Sequence, residues 1–189
     1  MPRDSLQPDD WAQAALEAMA AGGVGAVKVE TLAPTLGATK GSFYWHFADR
    51  SALILAAVEL WEEAETEAII DSLADVDDPR DRLHRLFSII FVRPELGSVD
   101  AALIAAHDQP AIVEALRRVT DRRVGFIRDA FAGLGFGKAD AERRALYAYG
   151  LYLGLVVVRR ANADAVPAPD SAEAFTDHLL DVLTVTTTG

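Results

Sequence analysis

The sequence predicts an all-α fold, and three observations lead to that prediction. Apolar residues recur every three or four positions through most of the 189 residues, which is the spacing of a helix face that packs on a core. The strict alternation of apolar and polar residues that marks half-buried β-strands does not occur. Short breaks rich in glycine, proline or aspartate, as at residues 77–79 and 133–137, separate the periodic segments. We therefore expect about nine helices and no sheet.

Composition and charge limit the classes of function. The chain is 51% hydrophobic and 25% charged, as folded globular proteins are. Its net charge of −11 argues against a protein that coats nucleic acid through overall electrostatics, so any DNA binding must be local. The absence of cysteine excludes disulfide frameworks, thiolate zinc sites and cysteine nucleophiles.

Targeting signals are not evident in the sequence. The first ten residues lack the apolar stretch of a secretory signal. The longest apolar run, residues 145–158, is shorter than the roughly 18 residues that indicate a membrane span. We therefore expect a cytoplasmic protein with no membrane partner.

Two helices are expected in the first part of the chain. The first covers residues 9–21, with one of the two aspartates at its start as the cap. The second covers residues 29–36, and Gly37 is its natural left-handed terminator. Pro34 lies inside this second helix and removes a backbone donor, so we expect the helix to be kinked or shortened.

The third helix is expected over residues 39–47, with Thr39 as its cap. Phe43 and Phe47 lie one turn apart and are expected to face inward. An aromatic cluster is more often core than binding site, but neighbouring residues on one helix cannot all be buried. The side chains that we expect to be exposed are Lys40, Ser42, Tyr44, Trp45 and His46. Asp49 then caps a long fourth helix.

Six helical segments complete the prediction. They cover residues 50–74, 80–92, 99–106, 110–134, 138–161 and 171–185. Within the fifth segment, residues 145–158 are apolar on almost every side of the helix. Such a helix must pack against other elements on more than one side.

The N-terminal pattern resembles the TetR family of bacterial transcriptional regulators. The features that carry the resemblance are Leu32 and Ala33 in the second helix, the run LGATKGSFYWHF at residues 36–47, and Asp49, Arg50 and Leu53 in the fourth helix. The resemblance implies a helix-turn-helix DNA-binding domain at residues 1–50. It also implies a helical ligand-binding and dimerisation domain at residues 51–189.

The expected partner of the first domain is double-stranded operator DNA. In a helix-turn-helix the second helix of the motif enters the major groove, where Lys40 and Ser42 would meet base edges. Gly41 would let this helix approach the groove closely, at roughly 0.5–1 kcal/mol of helix stability relative to alanine. The resemblance implies the remaining contacts. Phosphates would be contacted by Thr39, Tyr44, His46 and Arg50. Trp45 would lie against thymine methyls or backbone sugar.

Positive charge is scarce around this motif. Residues 1–50 hold four basic and six acidic side chains, a net charge of −2, whereas DNA-binding domains of this family are usually basic. Glu30 stands where many relatives have a basic or neutral residue. Binding should then be strongly salt-sensitive. The alternative is a helical ligand-binding or interaction protein with a degenerate helix-turn-helix.

The resemblance implies that the last two long helices pair with those of a second subunit. Near-heptad spacing selects the candidate residues of this homodimer interface, which are Leu146, Gly150, Leu153, Gly154 and Val157, with Phe175, Leu179 and Val182. The two glycines would let two helices come close. Alternatively, these residues face the core of their own subunit.

A pocket for a small-molecule effector is expected among the middle helices, because ligand sites favour aromatic and apolar walls. The candidates are Trp61, Phe87, Phe91, Leu103, Ile104, His107, Phe126, Phe131 and Tyr147. His107, beside Asp108, is the best polar candidate for touching the effector. Alternatively, the apolar candidates are ordinary core and His107 is a capping or surface residue.

Motifs of catalysis and metal binding are missing from the sequence. No nucleophile elbow, phosphate loop or paired-histidine motif occurs, and Asp81 with His84 is a single Asp-x-x-His where a helical di-metal site needs two. We therefore expect no enzyme, no cofactor and no metal. Together with the resemblance, the sequence instead predicts a homodimeric regulator, which we expect to be a repressor that releases a palindromic operator when an effector binds.

Overall fold

The computed structural model describes residues 6–93, 96–166 and 168–185 of the chain. Every regular element in these ranges is helical and none is a strand, which confirms the all-α prediction. In the same ranges, no helix is both long and apolar enough to cross a membrane.

The chain divides into two compact units. The N-terminal unit comprises Met1–Glu65 and Ser98–Arg118, and the C-terminal unit comprises Thr66–Gly97 and Val119–Gly189. These packing units are drawn differently from the functional division expected at residue 50, because the segment Ser98–Arg118 packs with the first helices. The functional division remains a prediction.

The N-terminal unit opens with four helices and a 3₁₀ turn. They are α1 (Pro8–Gly22), the 3₁₀ turn Val24–Ala26, α2 (Val29–Thr35), α3 (Lys40–Phe43) and α4 (Arg50–Glu62). The N-cap residue of α1 is Gln7 and not an aspartate. The main-chain N–H of Gln7 donates to Asp10 Oδ2 at 2.7 Å. α1 packs along α4 around the fully buried side chains of Trp11, Met19 and Leu53.

The turn that ends α2 is formed as predicted. Gly37 has a φ of 65°, in the left-handed region that favours glycine. Its amide donates to the Pro34 carbonyl, and the Ala38 amide donates to the Ala33 carbonyl at 2.8 Å. Pro34 stays inside α2, which is only seven residues long, so that a single helical hydrogen bond is lost. The helix ends at Thr35, one residue before the predicted end.

Both predicted caps around α3 are confirmed. Thr39 Oγ1 accepts a hydrogen bond from the Ser42 amide at 3.1 Å. Asp49 Oδ1 accepts one from the Ala52 amide at 2.9 Å at the start of α4. Each cap satisfies an amide that the helix itself leaves unpaired.

The third helix is shorter than predicted. Its α-helical part covers Lys40–Phe43, and the chain then continues in tighter turns. The Trp45 amide donates to the Ser42 carbonyl at 3.3 Å, and the His46 amide donates to the Phe43 carbonyl at 2.9 Å. These bonds between residues three apart are of the 3₁₀ type, which commonly closes a helix.

A π turn interrupts the long fourth helix. After α4, the π turn Glu63–Glu67 leads directly into α5 (Ala68–Ser72). Thr66 in this turn is 1% exposed, and its hydroxyl accepts a hydrogen bond from Arg123 Nε at 2.9 Å. The sequence predicted an uninterrupted helix here.

Five further helices follow, and their bounds agree with the predicted segments to within one residue. They are α6 (Pro79–Val92), α7 (Ser98–Ala105), α8 (Pro110–Gly133), α9 (Lys138–Ala161) and α10 (Ala172–Thr184). If the run from α4 to α5 is counted once, the described residues form nine helices, as predicted.

The C-terminal unit is built around one apolar cluster. Its most completely buried residues include Leu83, Phe131, Ala141, Ala145 and Leu180. Polar contacts hold α10 in place at the edge of this cluster. Arg80 donates to Asp181 Oδ1 at 2.8 Å, and Arg144 donates to the Leu183 carbonyl. α10 is therefore fixed to both α6 and α9.

Candidate DNA-binding surface

Aromatic packing fixes α3 to the N-terminal unit. Phe43 is fully buried and Phe47 is 8% exposed, and their rings stack with centroids 5.6 Å apart. Trp11 of α1 meets the Phe43 ring edge-on at 5.4 Å. Such pairs add about 0.5–1.5 kcal/mol each to the burial of their surfaces. The predicted inward orientation of Phe43 and Phe47 is confirmed, and it determines which side of α3 faces solvent.

The opposite side of α3 and of the turn after it presents large side chains to solvent. Trp45 is 87% exposed and Tyr44 is 63% exposed. Lys40 and His46 are also exposed, and Ser42 is half-buried. Adjacent exposed aromatic rings with polar tips are typical of a surface that binds a partner. The predicted exposure is confirmed for Lys40, Tyr44, Trp45 and His46 but not for Ser42, and the contacts of these residues with DNA belong to the proposal below.

Gly41 is not required by the structure of the protein on its own. A methyl group at this position would meet only Thr39 Oγ1, at an ordinary contact distance of 3.5 Å. The φ angle of Gly41 lies outside the left-handed region. A close approach by another molecule therefore remains a physical reason for glycine on this surface.

Lys40 is engaged in an ion pair across the motif. Its Nζ lies 2.8 Å from Oε1 of Glu30 on α2, and the two side chains are 58% and 66% exposed. The hydrogen bond from Lys40, with a smaller contribution from the backbone of Glu30, holds the pKa of the Glu30 carboxyl below its usual value. The sequence drew attention to the charge of Glu30 but did not predict this pairing.

Arg50 is bonded within the protein, although the resemblance assigned it a phosphate contact. Its Nε donates to the Val27 carbonyl at 2.5 Å, and its Nη2 donates to the Val24 carbonyl at 2.6 Å. The guanidinium thus ties the start of α4 to the segment between α1 and α2. Lys28, the remaining basic residue of positions 6–50, is exposed.

The expected pocket residues of the N-terminal unit are partly core and partly surface. Trp61 and Leu103 are buried, and Trp61 Nε1 donates to Oδ2 of Asp100 at 3.3 Å. Asp100 is itself 1% exposed. Ile104 and His107 are exposed, and His107 Nδ1 lies 3.1 Å from the Ile104 carbonyl. Sequence reasoning missed Asp100, because an aspartate in the first turn of a helix ordinarily indicates a solvated residue.

The expected pocket residues of the C-terminal unit differ in the same way. Phe87, Phe91 and Phe131 are buried in the apolar cluster, and Phe126 packs against it. Tyr147, in contrast, is 62% exposed on α9. Its position associates it with the outer face of that helix and not with the cluster.

The predicted interface residues all retain some exposure in the single chain. Leu146, Val157 and Val182 are 61%, 63% and 55% exposed. A methyl group at Gly150 or Gly154 would meet nothing within 4 Å. The half-buried members are Leu153, Phe175 and Leu179. We call these eight residues the α9–α10 face.

Metal ligands do not converge within the described ranges, where no group of three or more histidine, aspartate or glutamate side chains is arranged to hold an ion. Of the three buried polar residues in these ranges, Asp100 and Thr66 bond to Trp61 and Arg123, and Thr176 Oγ1 has no hydrogen-bond partner.

Comparison with known families identifies the N-terminal segment. Residues 13–57 match the model of bacterial regulatory proteins of the tetR family. The matched segment contains α2, α3 and the turn between them. No curated protein sequence matches the chain.

Solved structures share the fold over almost the whole chain. A transcriptional regulator from Rhodococcus sp. Rha1 has a TM-score of 0.80 at 19% identity, with 94% of this chain and 96% of that chain covered. A TetR-family transcriptional regulator from Agrobacterium tumefaciens has a TM-score of 0.78 at 19% identity, with 94% and 97% covered. A protein from Saccharomonospora viridis described as a transcriptional regulator, in complex with choline, has a TM-score of 0.81 at 18% identity, with 92% and 95% covered. At these identities the likeness concerns the fold.

Proposed function

This chain belongs to the tetR family of bacterial regulatory proteins, and we propose that it is a ligand-responsive transcriptional repressor that binds a palindromic operator as a homodimer. It acts in the cytoplasm, where its DNA target lies, and has no catalytic role. An effector bound in the C-terminal unit favours a form with lower affinity for the operator.

The observation that carries the proposal is the outward side of α3. Phe43 and Phe47 fix the helix from within, and Lys40, Tyr44 and Trp45 are exposed to solvent. The major groove of B-DNA is about 12 Å wide and admits a helix in this way. Lysine in the groove donates to the O6 and N7 acceptors of guanine, and exposed apolar surface of an aromatic ring suits a thymine methyl group.

Phosphate contacts then position the helix on the duplex. The Thr39 hydroxyl oxygen already accepts a hydrogen bond from Ser42, but its proton is available for a phosphate oxygen. Tyr44 and His46 are exposed beside it and also carry donors. Contacts of this kind set orientation, whereas the contacts of Lys40 and Ser42 with base edges would set sequence preference.

The α9–α10 face and the small size of α3 support the proposed homodimer. Exposed apolar side chains and two uncovered glycines on α9 and α10 leave room for a close helix approach by a second subunit. Two α3 helices, one from each subunit, would double the DNA contacts that one short helix provides. In such dimers the half-sites lie about 34–36 Å apart or a multiple of that distance.

Effector response is supported by the aromatic side chains of the C-terminal unit. Phe87, Phe91 and Phe126 contribute to one apolar cluster. Apolar and aromatic side chains of this kind are the usual lining of small-molecule sites. The S. viridis protein of similar fold holds choline, so a protein of this architecture accommodates a small organic molecule. We carry over the capacity for a small-molecule effector and not the identity of the ligand.

The proposal is tested by the affinity of the full-length protein for its own upstream region and for a scrambled duplex of the same composition, over a salt series. We expect a clear preference for the upstream region. Lys40→Ala should weaken binding to the upstream region by about fivefold or more, since a good base contact is worth about 1–3 kcal/mol. Tyr44→Ala should also weaken binding, through the loss of a phosphate contact. Lys138→Ala, which removes an exposed lysine from the C-terminal unit, is the matched control and should bind as wild type does.

Two results would count against the proposal in different ways. Wild-type protein without sequence preference even at low salt would favour a helical ligand-binding or interaction protein with a degenerate motif. Specific binding that neither Tyr44→Ala nor Lys40→Ala changes would support DNA binding but place the DNA-binding surface elsewhere.

A further inference from the structure

Glu30 and Lys40 form their ion pair on the surface that the proposed function directs toward DNA. We propose that Glu30 is a positioning residue that sets specificity by holding Lys40, so that DNA must displace the carboxylate before Lys40 can contact it. This inference rests on the proposed function. It adds an intramolecular competitor to that same surface.

The pair removes positive charge where little is present. Residues 6–50 contain three basic and five acidic side chains. Arg50 donates to two main-chain carbonyls, and Lys40 is paired with Glu30. Lys28 also contributes, more weakly, to the favourable electrostatic environment of the Glu30 carboxylate. Glu30 therefore offsets the field of both lysines that could attract phosphates.

Geometry makes the pair a competitor and not a permanent clamp. The Lys40 and Glu30 side chains are 58% and 66% exposed, and exposed ion pairs are weak. A DNA phosphate or a guanine edge can therefore displace Glu30 from Lys40. The displaced carboxylate lies on α2, ten positions before Lys40, and remains close to the negatively charged duplex.

Operator and non-operator DNA differ in the contacts that offset the free-energy cost of displacing Glu30 from Lys40. Non-specific binding is almost wholly electrostatic, so it has little else to offset the loss of the Glu30–Lys40 pair. An operator also offers base contacts to Lys40 and Ser42 and apolar contact to Trp45. Glu30 should thus weaken binding to all DNA but weaken non-operator binding more, which raises selectivity.

The test compares wild type with Glu30→Gln in the full-length protein, on the upstream region and on the scrambled duplex. We expect Glu30→Gln to bind both duplexes more tightly and to discriminate between them less. One additional phosphate contact steepens the slope of log affinity against log salt by about 0.9. The gain on scrambled DNA should therefore be about 3.5-fold larger at about 50 mM than at about 200 mM salt.

Three further variants separate this role from a general effect of charge. Glu17→Gln removes the same charge from α1, where Glu17 accepts from Gln13 and not from a lysine, and should change affinity little. Glu30→Asp keeps a carboxylate and should restore discrimination. Glu30→Gln combined with Lys40→Gln should lose the gain, because no ammonium group is released.

The outcomes are distinguishable. Unchanged affinity and salt slope in Glu30→Gln, with wild type preferring its upstream region, would overturn the inference and leave the proposed function standing. An equal gain from Glu17→Gln would also overturn it, since net charge would then suffice. Absence of any preference in wild type would remove the proposed function and this inference together. Thermal unfolding of each variant checks that the fold is retained, and Glu30→Ala repeats the comparison if the glutamine variant is altered.

Discussion

The guanidinium of Arg50 is held within the protein before any DNA is present. Its Nε and Nη2 atoms donate to the carbonyls of Val27 and Val24. The planar fork of arginine suits two separate acceptors, whereas lysine offers a single ammonium group on a flexible stem. Arg50 therefore determines how α4 begins relative to the segment between α1 and α2.

Arg50→Ala should lower the free energy of unfolding by about 1.5–3 kcal/mol, the range for hydrogen bonds that involve a charged group. Arg50→Lys should recover only part of this loss, because it keeps the charge without the fork. The measurement is urea denaturation followed by circular dichroism. Lys28→Ala removes an exposed charge from the same unit and should change stability by less than about 0.5 kcal/mol.

Two other results would assign Arg50 a contact with DNA phosphate, either as its only role or in addition to its support of α4. If Arg50→Ala unfolds as wild type does and loses DNA affinity, the carbonyl contacts contribute nothing measurable. If both stability and affinity fall and Arg50→Lys restores affinity only, the residue serves both purposes. The combination of the two measurements therefore distinguishes support of α4 from contact with phosphate.

The orientation of individual side chains could be predicted from sequence, but their partners could not. Phe43 and Phe47 are one helical turn apart, so that their burial exposes Tyr44 and Trp45. Arg50, in contrast, bonds to carbonyls more than twenty positions earlier, and no local pattern encodes that distance. The Glu30–Lys40 pair likewise depends on how α2 and α3 are placed by the turn between them.

Gly97, just before α7, is required for the packing of α9 as well as for the turn between helices. Gly97 has a φ of 86°, and a methyl group there would collide with the Val156 side chain on α9. The same methyl would lie 3.0 Å from the Tyr152 hydroxyl. Glycine is therefore required twice at this position, by the backbone conformation and by the close approach of α9.

Gly97→Ala should destabilise the protein more than Gly135→Ala does. Gly135 also has a left-handed φ, of 92°, but a methyl group there would meet nothing within 4 Å. It therefore reports the conformational penalty alone, about 1–2 kcal/mol. Overpacking against Val156 should add about 1–3 kcal/mol for Gly97→Ala. Equal losses in thermal unfolding would mean that α9 yields to the added methyl group without cost.

Helix ends were predictable where local chemistry marks them. Gly37 adopts the left-handed conformation in the turn after α2, and Asp49 caps the start of α4, as their residue types indicate. The π turn Glu63–Glu67 carries no such mark, since its sequence EAETE is compatible with ordinary exposed helix. The buried hydrogen bond of Thr66 in this turn is made with Arg123, 57 positions away, which only the folded chain reveals.

The charge balance of the whole chain favours the proposed cooperation between two subunits. The chain has a net charge of −11, and within residues 6–50 the acidic side chains outnumber the basic ones. General attraction to DNA is therefore weak, and specific contacts must supply the affinity. In the proposed dimer, two α3 helices held at the spacing of two half-sites would provide those contacts together, which would connect DNA binding to the α9–α10 face.

Leu146→Glu should convert a dimer into a monomer without unfolding the chain. Leu146 is 61% exposed in the single subunit, so the substitution is tolerated there but places a charge in the α9–α10 face of the assembly. Light scattering at micromolar concentration should give twice 20.4 kDa for wild type and 20.4 kDa for the variant. Leu55→Glu, at a leucine of the N-terminal unit that is 41% exposed, is the matched control and should remain dimeric.

Gly154→Leu tests the same face by size instead of charge. No atom lies within 4 Å of a methyl group at this position, and leucine favours helix more than glycine does, so the single subunit should be at least as stable. A second helix packed closely on Gly154 would be pushed away, and operator affinity should fall with the loss of dimer because the two α3 helices are no longer linked. Wild-type protein of 20.4 kDa would rule out the dimer, whereas dimers that persist in both variants would place the interface elsewhere.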